Sequence, residues 1–306
     1  MLPRAAYRLG PFGRRVSNAA QRLPGIATLI ERTLGFTAKR PLPRWHRHPF
    51  REPNDAATKP AATIGEVVLF VDTFNRWYEA DVARAARRVL AAAGYAVTFA
   101  REGARPLCCG RTFLSAGMLA DARAEARRTI AALLPFARRG VPIVGLEPSC
   151  LLTLRDEFLS LEPTDDARAV ASQALLFEEF VARELDAGRW SPPLRTLDAG
   201  AVVHGHCHQK AFGAMPAVMR ALRAIPGLDA SAIESSCCGM AGTFGYEAEH
   251  YDISMRMAER DLLPAVRAVD AATLIVADGM SCKHQIEHGT NRRSLHVAEV
   301  YALALS

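Results

Sequence analysis

The 306-residue chain has no uninterrupted apolar stretch near the roughly 18–20 residues that a membrane-spanning helix needs. Its best apolar runs, Val67–Val71 and Thr273–Ala277, are only strand-length. No G-x-G-x-x-G opens a strand–helix unit and no flavin-binding region is recognisable, so a dinucleotide site is not expected within these residues. No clean apolar core of a secretory signal opens the sequence, and the cysteine count is odd, which argues against the disulfide framework of a small secreted domain. The iron–sulfur spacing C-x2-C-x2-C-x3-C-P is absent, as are the paired C-x2-C hairpins of a small zinc module. Positive charge on the folded bulk is also missing. The net +6 divides into +9 over residues 1–60 and −3 over the remainder, so a nucleic-acid-binding domain is excluded.

Half of the residues are hydrophobic and 23% are charged, an ordinary globular balance for about two domains. Residues 1–60 read as a basic connector or docking segment. An amphipathic pattern over Arg14–Gly35 is interrupted at Pro24, and Pro41, Pro43, Pro49, Pro53 and Pro60 then suit an extended linker. Alternative readings of this segment are a basic helix lying on a membrane surface and an Arg-rich transit peptide.

From residue 66 the pattern alternates between strand and helix. Strands are predicted at Glu66–Asp72, Tyr95–Ala100 and Ile143–Glu147, with helices at Ala80–Ala93 and about Phe113–Arg138. The order recurs with strand Ala201–Gly205, helix Gln209–Ile225, helix Ala248–Val269 and strand Thr273–Ala277. This is the signature of an α/β fold with mainly parallel sheets. The landmarks Cys108, Cys150 and Thr73 recur as Cys237, Cys282 and Cys207 after 129, 132 and 134 residues, which argues for an internal duplication. The expected divisions are a first cysteine-rich α/β repeat at 61–160, a helical linker at 161–200 and a second cysteine-rich repeat at 201–306.

The seven cysteines carry the chemistry. Vicinal pairs such as Cys108–Cys109 and Cys237–Cys238 rarely bridge each other, so metal or cluster ligation is weighed above buried structural thiols. In the second half the pattern Cys207-x29-Cys237-Cys238-x43-Cys282 places each cysteine where a strand ends or a loop begins. In a parallel sheet that is the edge where ligand sites gather. Gly110 and Gly239 are expected to let backbone approach a bulky inorganic core. His204, His206 and His208 flank Cys207, and His284 follows Cys282. His206 and His208 are read either as ligands or as hydrogen-bonding support for the ligands. Lys210 and Lys283 either offset thiolate charge or are solvated.

These residues resemble the cysteine-rich domain of the heterodisulfide reductase B subunit and its relatives, which include iron–sulfur subunits of glycolate oxidase and anaerobic glycerol-3-phosphate dehydrogenase. The wording HGHCHQKA (204–211), SSCCGMAGTFGYEAEHYDISM (235–255) and GMSCKHQIEHGTNRRSLHVAEV (279–300) is similar to the C-terminal part of large FAD-linked D-2-hydroxyacid dehydrogenases with fused iron–sulfur domains. The resemblance implies cofactor binding by Cys207, Cys237, Cys238 and Cys282. The family's fullest form ends in C-x-x-C, whereas Gln285 stands here, so a four-ligand [4Fe-4S] cluster is implied over a five-cysteine one. In the first half Cys108, Cys109 and Cys150 match, but the upstream position falls on Thr73; zinc, a labile cluster or no metal are the options there. The resemblance further implies an electron-transfer component that is inactive without a partner, with no catalytic residue of its own. FAD would sit on a dehydrogenase partner, beside a ferredoxin-type iron–sulfur domain, and electrons would pass on to a quinone or another carrier. A cytoplasmic location follows, in one reading peripheral at the inner face of the membrane. The alternatives are a zinc-stabilised scaffold and thiol–disulfide chemistry of the heterodisulfide reductase kind.

Overall fold

The computed structural model describes residues 7–53 and 63–306. The part of the expected linker at 54–62, Pro60 included, lies outside the described residues. The amphipathic N-terminal pattern forms two helices, α1 (Gly10–Ala20) and α2 (Ile26–Leu34). They are parted where Pro24 cannot continue a helix and Gly25 turns with φ +79°.

The first half contains β1 (Gly65–Phe70), α3 (Thr73–Trp77), α4 (Ala80–Ala92), β2 (Tyr95–Thr98), α5 (Arg111–Ser115), α6 (Leu119–Ala137), β3 (Ile143–Gly145), α7 (Pro148–Arg155), α8 (Glu157–Leu161), α9 (Asp165–Gln173), β4 (Ala174–Leu176) and α10 (Phe177–Asp186). The second contains β5 (Ala199–Val203), α11 (Cys207–Ala211), α12 (Met215–Arg223), β6 (Leu228–Ala232), α13 (Tyr251–Arg260), α14 (Leu262–Ala268), β7 (Leu274–Val276), α15 (Met280–Thr290) and α16 (Val297–Ala304).

Both sheets are wholly parallel, in the orders β2-β1-β3-β4 and β6-β5-β7. Leu295 adds a parallel bridge to Val276, so the second sheet has a rudiment of the fourth strand of the first. The capping confirms this equivalence. Glu179 reaches back to the Leu176 amide at the start of α10, and Glu299 does the same for His296 at the start of α16, each at 2.9 Å.

The stretch 161–200, read from the sequence as a linker, therefore supplies β4 to the first sheet. The long helices expected at 113–138 and 248–269 are each two helices, broken at Gly117 and Asp261. The helix expected over 209–225 is likewise two, with Gly213 between them at φ +68°.

The halves share one core. Val67, Leu69 and Val71 from β1 and its end pack in the same cluster as Ala201 and Val203 of β5. The helices cross over, so that α16 lies on α4 and α10 on α12. Phe177, Phe180, Trp190 and Tyr301 fill this junction with edge-on ring contacts. Each large side chain buried there contributes about 1.5–3 kcal/mol.

Residues 35–53 then strap both halves together. Gly35 and Thr37 pair with Ala248 and Tyr246 in the second half, whereas His46 and Phe50 bond the carbonyls of Trp77 and Arg76 in the first. Trp45 stacks on Tyr78 at 4.5 Å. No helix of the described residues is long and apolar enough to cross a membrane.

Candidate metal centre

Each cysteine stands at the carboxyl edge of a parallel sheet, where backbone amides converge. Cys207 opens α11 directly after β5, behind the N-cap His206, whose ring accepts from the His208 amide at 3.1 Å. Thr73 holds the same place in the first half, opening α3 behind the N-cap Asp72. Cys150 and Cys282 do not end strands, as the sequence suggests; they lie in the first turns of α7 and α15. There the partial positive charge of the helix favours a thiolate.

The vicinal pairs follow β2 and β6 in loops that turn at Gly110 and Gly239, with φ +77° and +80°. Each glycine amide donates to the first sulfur of its pair, Cys108 or Cys237, at 3.3 Å. The glycines are required for a reason other than room for a cofactor. A Cβ on Gly239 would stand 2.3 Å from the Ser254 carbonyl oxygen of α13, and one on Gly110 would stand 3.2 Å from that of Ala122 in α6. Both let the cysteine loop rest directly on a helix backbone.

In the second half the four expected sulfurs come together. Cys238 and Cys282 Sγ are 3.4 Å apart, Cys207 and Cys238 both donate to Cys237, and none is in a disulfide. Their titration divides accordingly. The bond from Cys207, then that from Cys238, holds Cys237 well below an ordinary thiol, whereas Cys207 is raised by donating to it. Cys282 is lowered by Cys238 first, against burial, with help from His204.

The histidine whose donor atom groups with these sulfurs is His204, while His206 stands close enough for the charges of Cys282 and Cys237 to act on it. Donor atoms of His204, Cys238 and Cys282 lie within 4.8 Å of one another, and all three residues are buried. His204 Nδ1 is taken by Ser235 Oγ at 2.9 Å, and its buried Nε2 has no partner. His206 caps its helix, and burial pulls its imidazole below the ordinary range against the charge of Cys282. His208 stacks on His206, and burial followed by the charge of Arg111 pulls it down to about 4.

In the first half Cys108, Cys109 and Cys150 are also brought together, all buried, with the Thr73 hydroxyl bonded to Cys108 in place of a fourth thiol. Their surroundings are acidic. The bond from Cys109 acts downward on Cys150, but burial with the charges of Asp72 and Glu147 prevails and pushes it up to about 12. Glu147 is itself raised to about 8, by burial first and Asp72 second. It accepts from the Met280 amide at 2.9 Å, so a first-half carboxyl caps the helix that carries Cys282.

Three cations stand near the second group, of which sequence reasoning named Lys210 and Lys283 but not Arg40. Arg40, from the N-terminal strap, is buried; its guanidinium bonds Gln285 Oε1 and lies 2.6 Å from Met240 Sδ. Burial lowers it, and Cys238 is among the groups whose charge holds it up. Gln285 also bonds the Ser254 carbonyl at 3.1 Å, so the position where the family's fifth cysteine would fall is committed elsewhere. Lys283 is not solvated: it is buried between Glu79 at 2.7 Å and Glu299 at 3.1 Å. Lys210 bonds the carbonyls of Ser235 and Ser236. No sequence pattern marks Arg40, because its partners lie 200 or more residues away.

Soft sulfur donors, an unpartnered imidazole nitrogen and a neighbouring guanidinium fit an anionic thiolate–metal group in the second half. The acidic, three-thiol set of the first half fits such a group poorly. A further set, Glu178, Asp278 and His296, is knitted into a hydrogen-bonded network through Gln209, which donates to both carboxylates. Its imidazole is used on both sides, accepting from the Ala298 amide at 2.9 Å and meeting the Leu146 carbonyl at 3.0 Å.

Comparison with known proteins agrees with this geometry. Residues 201–287 match the family described as "CCG: Cysteine-rich domain". The chain is 28% identical over 300 residues to the C subunit of the anaerobic glycerol-3-phosphate dehydrogenase of Escherichia coli K12, covering 97% of this chain and 73% of that protein. It is 29% identical over 249 residues to "Lactate utilization protein A" of Bacillus velezensis, covering 77% of this chain and 98% of the relative. It is 28% identical over 224 residues to the "D-2-hydroxyglutarate dehydrogenase" of Escherichia coli K12, covering 72% of this chain but 21% of that longer protein. Cys207, Cys237, Cys238 and Cys282 all fall within the span that matches the CCG cysteine-rich domain.

Proposed function

We propose that this chain is the iron–sulfur electron-transfer component of an FAD-linked dehydrogenase acting on a D-2-hydroxyacid such as D-lactate, D-2-hydroxyglutarate or glycolate. Cys207, Cys237, Cys238 and Cys282 would hold a [4Fe-4S] cluster. Such a group supplies one-electron transfer at a potential set by charge, hydrogen bonding and exposure. The carrying observation is the convergence of four unbridged thiols, two of them in helix first turns and one accepting the Gly239 amide, beside the buried cation Arg40. The role of this chain's own residues is to hold the sulfurs, exclude water and offset negative charge. FAD and a ferredoxin-type domain would belong to partner chains. The names of the relatives, which are proteins of glycerol-3-phosphate, lactate and D-2-hydroxyglutarate metabolism, support a dehydrogenase partner.

The N-terminal helices are the proposed docking face toward that partner or toward a membrane surface where a quinone would accept the electrons. They and the turn between them expose Phe12, Leu23, Leu29 and Leu34 among basic residues. A zinc-stabilised scaffold is the second reading, with the converging thiols of Cys108, Cys109 and Cys150 as the place where zinc would be sought. The deciding experiment is iron, sulfide and zinc per chain after anaerobic purification. About four irons with matching sulfide support the electron-transfer reading. Zinc without iron overturns it in favour of the scaffold.

A further inference from the structure

A groove of about 480 Å³ opens on the first half, between α1, the strap residues 49–52, the end of α3 and the loop 100–107 that follows β2. It is unrelated to the sulfur cluster of the second half. Its lining holds five arginines, Arg14, Arg51, Arg76, Arg101 and Arg105, against one carboxylate, Glu52. Arg14 lies over the Trp77 ring at 4.5 Å. Glu52 is spent on two of the arginines, bonding Arg76 Nη2 and, at 2.7 Å, Arg101 Nε. Arg105 Nη2 is held by Glu125, at 2.6 Å.

These pairs do not use the available donors. Arg76 is 6% exposed, and its buried Nε has no partner; Arg105 Nη1 is likewise buried without one. Leaving a guanidinium N–H unmet inside a protein costs about 1–3 kcal/mol, more for a charged group, so such donors imply a missing acceptor. The arginines come from segments far apart in the sequence: α1, the strap and the first α/β half. Their convergence is a product of the fold and not of one charge run.

We infer that this groove is a binding site for a multiply charged phosphate, either a soluble phosphate ester or the headgroup of an anionic phospholipid. Planar guanidinium forks match the oxygens of a phosphate, and the volume admits a phosphate with an organic group attached. The aromatic ring of Trp77 supplies the apolar wall, and Leu107, also in the lining, is followed directly by Cys108. The first cysteine group therefore stands next to the bound charge.

The probe is pyrophosphate, titrated into the full chain at low salt and followed by calorimetry and by tryptophan fluorescence. Saturable binding that weakens with salt is expected, falling about tenfold or more in the Arg51→Ala/Arg101→Ala double variant, since these side chains are exposed and their removal spares the core. Arg260→Ala, exposed on the second half, should bind as the parent does. Absence of saturable binding, or equal loss in the Arg260 variant, overturns the site. Vesicles of phosphatidic acid, whose headgroup is a phosphate monoester, distinguish the sources. Displacement of pyrophosphate by them, but not by phosphatidylcholine vesicles, identifies a lipid headgroup; retention of pyrophosphate identifies a soluble ester.

Discussion

The guanidinium of Arg40 is hydrogen-bonded to the amide oxygen of Gln285, two buried residues separated by 245 positions in the chain. This single contact ties the N-terminal strap to the helix that carries Cys282 and brings a fixed positive charge beside Cys238. A cation near a cluster favours its reduced, more negative form. Arg40→Gln should therefore lower the reduction potential of the proposed cluster by on the order of 50 mV, an effect read by redox titration followed by EPR. An unchanged potential with an intact fold would remove Arg40 from any electrostatic role.

The two cysteine groups should respond independently. Cys237→Ser takes one thiolate from the second group and should reduce bound iron and sulfide to background. Cys109→Ser should leave the iron content and EPR spectrum of the second group as they are, because its thiol bonds only Cys108 and Cys150 among the cysteines. Loss of the signal in both variants would mean that the halves share one site.

His204 has a buried nitrogen whose place groups with the Cys238 and Cys282 sulfurs. His204→Ala should alter the cluster's spectrum or potential, whereas His208→Ala, turned toward Arg111 and Glu157, should leave both within error. Equal effects would reduce His204 to a packing residue.

Much of this arrangement is readable from local pattern. β1 is an unbroken apolar run, and the recurrence of Cys-Cys-Gly and Ser-Cys at a nearly constant offset brings out both the duplication and the four sulfurs. The alignment of Thr73 with Cys207 reappears as two N-terminal helical positions behind N-caps. What escaped depends on contacts distant in the chain. β6 has the sequence LDASA, with too little apolar material to read as a strand, and it exists because it pairs with β5. β4 is three residues long and borders a helix on either side, so its neighbours hide it. The choice of His204 over His206 turns on one ring capping its own helix while the other faces the sulfurs, which spacing does not encode.

Gly239 and Gly242 offer a controlled comparison. Both have positive φ, but a Cβ on Gly242 meets nothing within 4 Å, whereas on Gly239 it collides with the Ser254 carbonyl. Gly242→Ala should cost about 1–2 kcal/mol from the backbone alone. Gly239→Ala should cost more and displace the cysteine loop from α13, so that iron binding falls together with thermal stability. Equal costs in the two variants would show that the loop is free to move away from α13.

Glu184 sets a pH dependence remote from the metal centre. Its buried carboxylate accepts from the Tyr95 hydroxyl at 2.7 Å and from Arg189 Nε at 2.7 Å, with Arg183 at 3.0 Å. Burial acts to raise this acid, but the bonds from Arg189 and Tyr95 and the charges of Arg183 and Arg189 outweigh it, and it is held below the ordinary carboxylate range. The unfolded chain thus takes up the proton first as pH falls. The stabilisation is complete above the ordinary value of about 4.3 and is lost as pH drops through the lower folded value. Glu184→Gln should cost about 1–2 kcal/mol at pH 7, toward the low end because both arginines are about half exposed to solvent. It should also flatten the loss of stability between about pH 5 and pH 3. Urea denaturation of parent and variant across that range decides the matter: parallel curves would mean that the carboxylate's charge contributes nothing to the fold.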